Sequence, residues 1–229
     1  MIAPRRWHRE SAPAERLTLK SARGAQPAEP QPQYFLEVSL KLGLESVDEF
    51  YRLAKTVLKS VQSHTSLSLQ MAAASPSRTE LLHIWSLPSP DALKEGMVRL
   101  ADNPAYGQLD RLVVDERQEI TSPFGRIPAL RPRPGKGGMY LRVTGNVATR
   151  DLAEFQALHE VMPPRLPDSG WEMWAALLNI TGRLNQITSI WVIPRPGEIT
   201  TGQEFRHLPG VDLMTDVAVE RWSPTAYNP

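Results

Sequence analysis

The sequence contains no cysteine. That excludes disulfides, thiolate metal sites, thiol nucleophiles and iron–sulfur clusters together. It has almost no excess charge, with 26 Lys and Arg against 25 Asp and Glu, a formal net +1. A chain so balanced lacks the electrostatic footprint of a dedicated nucleic-acid binder. No apolar run approaches the roughly 20 residues a bilayer span needs, so no membrane partner is expected. There is no glycine-rich phosphate loop opening a helix, no Gly-x-Ser-x-Gly elbow and no Rossmann fingerprint, which argues against ATP, NAD and covalent-serine chemistry. Gly135-Lys136-Gly137-Gly138 is glycine-rich but precedes a strand. The histidines show no metal-ligand spacing, so no metal site and no cofactor is expected. What is present is a globular composition, 41% hydrophobic and 22% charged over 229 residues. That suffices for a packed core, in one large domain or two of roughly 100 residues each.

Proline is abundant, at 21 residues, and marks the boundaries. Residues 1–33 carry Pro4, Pro13, Pro27, Pro30 and Pro32 with only scattered apolar side chains, and read as a flexible tail. No apolar h-region follows Arg5 and Arg6, so a secretory signal is not expected. Glu10, Glu15 and Glu29 count against a transit peptide, and a cytoplasmic location is the expectation. Residues 123–138 combine Pro123, Pro128, Pro132 and Pro134 with Gly135, Gly137 and Gly138. Such a stretch forms neither a central strand nor a helix interior and reads as a linker. Two segments of similar length remain, 34–122 and 139–224, followed by a short tail at 225–229.

These segments repeat. Phe35–Ser39 lies over Tyr140–Thr144 at an offset of 105, and Asp48–Leu53 over Ala153–Leu158 at 105. Ile84-Trp85 lies over Ile190-Trp191 at 106, and Leu112–Arg117 over Val217–Arg221 at 104. Ser122-Pro123 and Ser223-Pro224 close the two copies. Within the first copy, residues 34–42 alternate as a strand with one strongly apolar face. Ser46 with Glu49 predicts a capping box, and Val47, Phe50, Leu53, Ala54, Val57, Leu58 and Val61 follow at helical spacing. Strands are predicted over Leu67–Ala74 and Glu80–Leu87, a helix over Ala92–Leu100, and a last strand over Val113–Ile120. The second copy predicts a strand over Met139–Val147, a Thr149-capped helix over Asp151–Val161, a hairpin of Trp171–Ile180 and Asn185–Ile193, a short or lost helix at 195–202, and a strand over Asp212–Arg221. The fold class is therefore α+β, two β-α-β-β-α-β ferredoxin-like units in tandem. An antiparallel sheet covered by helices on one face only must bury its other face, and two such sheets facing each other do so.

The run Glu80-Leu81-Leu82-His83-Ile84-Trp85-Ser86-Leu87, then a helix, then Asn103-Pro104-Ala105-Tyr106, then Glu116–Ile120, resembles the NIPSNAP-like branch of the dimeric α/β-barrel superfamily. The second copy keeps Ile190-Trp191 and a turn at Pro209-Gly210, but loses most of the intervening helix and the aromatic after the proline. The resemblance covers nearly all of 34–224. It implies a pseudo-dimeric barrel whose sheets pack face to face around a cavity. The superfamily includes cofactor-free monooxygenases, polyketide cyclases, haem-degrading enzymes and haem peroxidases, so fold alone does not name a reaction.

Strand alternation orders the candidate residues. With Leu36, Val38 and Leu40 toward the helices, Glu37 faces the space between the sheets, and Arg142 occupies the matching place in the second copy. Arg142 could hold a carboxylate, enolate or phenolate and Glu37 act as a base; the alternative is a structural ion pair across the barrel. His83 is the best-placed histidine for proton transfer, against a plain hydrogen-bonded buried role. Trp85, Trp191, Trp174, Glu172, Gln70 and Tyr106 are candidate substrate-binding residues, each with packing as the alternative. The expectation is a small cofactor-independent cyclase, isomerase or monooxygenase of secondary metabolism, with Glu37, His83 and Arg142 around a planar or polyketide-like substrate. Its rivals are a non-catalytic module for a hydrophobic molecule or haem, and a scaffold with a filled barrel. A small-molecule partner is expected, and further self-association is left open.

Overall fold

The computed structural model describes residues 34–125, 133–134, 137–162, 166, 170–194 and 208–229. The expected N-terminal tail, most of the expected linker and the doubtful helix at 195–202 lie outside the described residues. The first unit runs β1 (Tyr34–Leu42), α1 (Val47–His64), β2 (Ser68–Ala74), β3 (Glu80–Leu87), α2 (Pro90–Ala101), α3 (Pro104–Asp110) and β4 (Val113–Pro123). The second runs β5 (Met139–Val147), α4 (Leu152–Val161), β6 (Glu172–Asn179), β7 (Gln186–Ile193) and β8 (Met214–Pro224). No helix among the described residues is long and apolar enough to cross a membrane.

The eight strands close into a barrel in the order β1-β3-β2-β8-β5-β7-β6-β4, and every neighbouring pair is antiparallel. Each unit contributes a four-stranded sheet, and two seams join them. Ala73 and Ala74 pair with Pro224 and Ser223 on one side. Thr121, Ser122 and Pro123 pair with Asn179, Leu178 and Leu177 on the other. The last strands β4 and β8, each 11 residues, are the ones long enough to reach the other sheet. Closure leaves neither sheet with a free edge to recruit a stray strand.

Each sheet is apolar on both faces, and the faces do different jobs. Leu36, Val38, Leu81 and Trp85 point outward beneath α1, whose Phe50, Ala54, Val57 and Val61 supply the covering stripe. Leu141, Val143, Ile187 and Trp191 do the same in the second unit, against Phe155 of α4. The inward faces meet in a third cluster: Phe35, Met71, Leu82 and Ile84 from one sheet, Tyr140, Trp174, Ile190 and Trp222 from the other. Tyr140 and Trp174 pack edge to face at 6.4 Å. Burying one such side chain contributes about 1.5–3 kcal/mol, so the whole cluster, which draws on both sheets, holds the halves together. The interior at this level is filled with side chains, and the space that remains between the sheets lies beside Glu37 and Arg142.

Local details depart from the sequence reading in physical ways. Ser46 makes no side-chain cap, because a 3₁₀ turn over Leu44–Ser46 leads straight into α1. Thr149 likewise begins a 3₁₀ turn, and its hydroxyl accepts a 2.9 Å hydrogen bond from Asn185. Helix α3, over Pro104–Asp110, adds an element to those the sequence predicts. Asn103 caps it, its Oδ1 accepting from the Ala105 N–H at 3.0 Å, with Pro104 at the first helical position where proline fits without loss. The repeat is also in a different register at its end. Glu37 pairs with Glu119 and Arg142 with Glu220, which sets the last strands at an offset of 101, not 104. Finally, residues 225–229 are not a loose tail: the Thr225 N–H donates to the Ala72 carbonyl at 2.9 Å.

Candidate functional site

The two faces of the sheets create two separate candidate sites. The first lies in the first unit, between its sheet and its helices. It is a cavity of about 70 Å³ walled mainly by apolar side chains, among them Leu36 and Val38 of β1, Leu58 of α1, Trp85 of β3, and Met97 and Leu100 of α2. The polar groups in its wall are His83, Tyr106, Asp110, Glu116 and Gln118. His83 is 2% exposed. Burial lowers its pKa to about 4, because the charged imidazolium would be stranded in an apolar wall. The ring is therefore neutral across the whole physiological range. Its Nε2 shares a 3.1 Å hydrogen bond with the Tyr227 hydroxyl. Tyr106, on α3, has its pKa pushed up to about 12 by burial first, with Glu116 and Asp110 adding to the rise. It stays a neutral hydroxyl.

The second candidate is a polar recess of about 360 Å³ inside one end of the barrel, lined by both units. Arg142 sits at its floor with a side chain 14% exposed. Its guanidinium donates to Glu37 through one nitrogen and to Glu220 Oε2, at 2.7 Å, through another. Arg117 pairs with Glu119 in the same layer. Glu37 is 3% exposed. Burial, its largest influence, raises its pKa; Arg142 pulls it down, and Glu119 pushes it up again. Burial by itself would lower the pKa of Arg142, but Glu37 and Glu220 outweigh it and hold the cation firmly charged. Two carboxylates, Glu37 and Glu220, thus share one buried cation, and both its terminal nitrogens are already engaged. An arrangement this committed fits the structural ion pair better than an anion-binding group.

The expected constellation of Glu37, His83 and Arg142 is not assembled. In register, His83 stands beside Val38 and Ala72, and Glu37 beside Ile84. A step of one residue along a strand changes face, so the sheet separates His83 from the ion pair. Trp85 follows His83 to the helix side and Trp191 does the same in the second unit. Trp174 and Gln70 occupy equivalent bulges, between Met173 and Ala175 and between Leu69 and Met71. Trp174 points into the barrel interior, and the bulge keeps Ala175 there beside it. Gln70 stays near the surface, its Nε2 donating to Ser86 Oγ at 2.9 Å. Glu172 is half-buried at the start of β6, opposite Val192. Of the predicted residues, His83, Trp85 and Tyr106 therefore converge on the cavity, Glu37 and Arg142 on the recess, and Gln70, Glu172, Trp174 and Trp191 on neither. Sequence reasoning missed Gln118, Tyr227, Glu119 and Glu220. The two glutamates were recoverable from strand register once the exits Ser122-Pro123 and Ser223-Pro224 were aligned.

The two units differ at this position. Ser189 takes the place of His83, and its hydroxyl accepts the Trp191 indole N–H at 3.2 Å. The corresponding space is occupied by Phe155, Trp171, Met173 and Leu208.

No protein-family model and no curated protein matches the sequence. Solved structures do match. A "putative monooxygenase" from Fusobacterium nucleatum aligns over 86% of this chain and 94% of its own, at 7% identity and a TM-score of 0.59. An anthrone oxidase-like protein aligns over 84% and 91%, at 9% identity and a TM-score of 0.55. The chain has the dimeric α/β-barrel fold. A NIPSNAP family protein from Agrobacterium tumefaciens aligns over 43% of this dimeric α/β barrel and 99% of its own chain, at 17% identity and a TM-score of 0.38. Haem, which some dimeric α/β barrels use, does not fit the cavity. About 70 Å³ is under half the roughly 150 Å³ that accommodates benzene, and His83 Nε2 already has a partner.

Proposed function

We propose that the cavity of the first unit is the active site of a cofactor-independent oxygenase acting on a small, flat, apolar carbon acid. The observation that carries this reading is a neutral, buried imidazole set in the wall of an otherwise apolar cavity. Such a cavity takes up a flat hydrophobic molecule; the imidazole is unprotonated and ready to accept, and the enolate formed beside it offsets the cost that burial sets on the imidazolium. The substrate class is a methylene flanked by an aromatic ring and a carbonyl. His83 takes one proton from that carbon, and the resulting enolate reduces dioxygen directly. The balance is CH₂ + O₂ → C=O + H₂O: two C–H bonds break, one carbonyl forms, the second oxygen leaves as water, and the substrate is the only reductant. Tyr106 and Gln118 are the neutral donors available to the enolate oxygen. The names of the two full-length structural matches are in keeping with this chemistry. The resting volume of about 70 Å³ is smaller than a benzene ring needs, so this reading requires the wall to open on binding, and Met97, exposed on α2, is the wall residue freest to give way.

The test is oxygen uptake with 2-indanone and with anthrone as probes, each with its ketone product quantified. Turnover in the wild type and a loss of at least 100-fold in His83→Gln support the reading. Turnover unchanged by that substitution refutes it. Binding of either probe without oxygen uptake leaves the alternative, a carrier of small hydrophobic molecules.

A further inference from the structure

His83 has a second neighbour that does not belong to the cavity wall. Tyr227 arrives from the far end of the chain, on a strap laid across β2. Ala72, the β2 residue opposite His83, anchors that strap through both its backbone groups. Its carbonyl accepts the Thr225 N–H, and its N–H donates to Asn228 Oδ1 at 2.7 Å. Asn228 Nδ2 also donates to the Tyr140 hydroxyl at 3.3 Å. Between these anchors the Tyr227 ring meets His83 edge to face at 5.8 Å, and Tyr51 backs it at 5.7 Å. Among the described residues Tyr227 is the one hydrogen-bond partner of the imidazole.

A neutral imidazole has one N–H and one lone pair, so whatever holds one nitrogen decides what the other can do. We propose that Tyr227 is a positioning residue for the oxygenase site: its hydroxyl accepts the Nε2–H of His83 and so keeps a bare Nδ1 for the substrate. The strap at 225–229 is then part of the first unit's site although the second unit's last strand delivers it. This assignment rests on the cavity being the active site. It also explains why the strap is doubly anchored on Ala72, since a slack strap would let the tautomers exchange. An outer partner of this kind orients a histidine much as a metal-ligand histidine is oriented by its second hydrogen bond.

The experiment is a long-range ¹H–¹⁵N correlation of the histidine rings in the full-length protein at neutral pH, with His83 assigned through His83→Gln. The wild type is expected to show His83 predominantly as the Nε2–H form. Tyr227→Phe keeps the ring packing and removes the acceptor, and should raise the Nδ1–H fraction several-fold. Asn228→Ala, which slackens the strap, should move it the same way by less. An Nδ1–H wild type, or an unchanged ratio in Tyr227→Phe, overturns the proposal. Because the readout needs no substrate, it is separable from the reading beneath it. Tautomer control in a protein that consumes no oxygen leaves the strap's role standing and removes only the oxygenase.

Discussion

Replacing Arg142 by methionine tests the reading of the barrel-end charges. The substitution keeps roughly the same length of chain and removes the one cation that Glu37 and Glu220 share. Glu37, 3% exposed, would be left as an uncompensated buried carboxylate with Glu119 beside it. Breaking a buried pair from one side costs about 3–5 kcal/mol, and the crowding of acids argues for the upper part of that range. For a domain of this size each kcal/mol lowers Tm by roughly 2–4 °C, so the expected loss is roughly 6–20 °C by calorimetry. Glu37→Leu should cost less, about 1–2 kcal/mol, because Arg142 keeps Glu220. The double variant Glu37→Leu/Arg142→Met should recover most of the loss, showing coupling of at least about 2 kcal/mol. Acid adds a second signature. A buried carboxylate without its cation binds a proton more tightly folded than unfolded, so the deficit of Arg142→Met should shrink as pH falls. A Tm change under 2 °C in Arg142→Met, or additive losses in the double variant, refutes the structural role and returns these residues to the list of catalytic candidates.

Two further outcomes follow from the same structure. His83 has a pKa of about 4 in the fold against an ordinary 6.5, so the unfolded chain accepts a proton that the folded one refuses. Stability should be flat with respect to this group above pH 6.5 and fall toward pH 4, by up to about 3 kcal/mol; buried His159, also lowered, adds a loss of the same sign. Stepped-pH thermal unfolding should show a shallower slope in His83→Gln, and an equal slope would contradict the burial argument. Gly210 has φ +81°, and a Cβ there would sit 2.8 Å from the Phe155 ring. Gly210→Ala should therefore cost about 2 kcal/mol in urea unfolding, and a neutral result would show that the turn can relax.

The sequence carried the architecture well because architecture depends on period and order. Alternation in Tyr34–Leu42 assigned Leu36 and Val38 to the helices and Glu37 to the other face, and the copy at an offset of 105 carried the same logic to Arg142. What it did not carry were features set by a neighbouring strand. Trp174 faces inward opposite Met173 as alternation requires, but the bulge after Met173 keeps Ala175 inward beside it, and nothing in the local pattern announces that. His83 was grouped with Glu37 although its cross-strand partner, Val38, already faced the helices. Whether an enclosed space lies within the barrel or under the helices depends on side-chain volume. Phe35, Tyr140, Trp174 and Trp222 fill the first and leave room in the second. Tyr227 gave no signal at all, since a tyrosine three residues beyond a strand has no period to belong to.

The pairing of Glu37 with Arg142 has a corollary for assembly. These two side chains hold matching positions in the repeat yet touch each other, so the local symmetry axis runs between them. In an assembly of two identical subunits that axis would set glutamate against glutamate, or arginine against arginine. A single chain carrying both copies can hold glutamate in one and arginine in the other, as two identical subunits cannot. The two halves are therefore mutually dependent: cut apart, each would bury a charge whose partner its own duplicate does not carry.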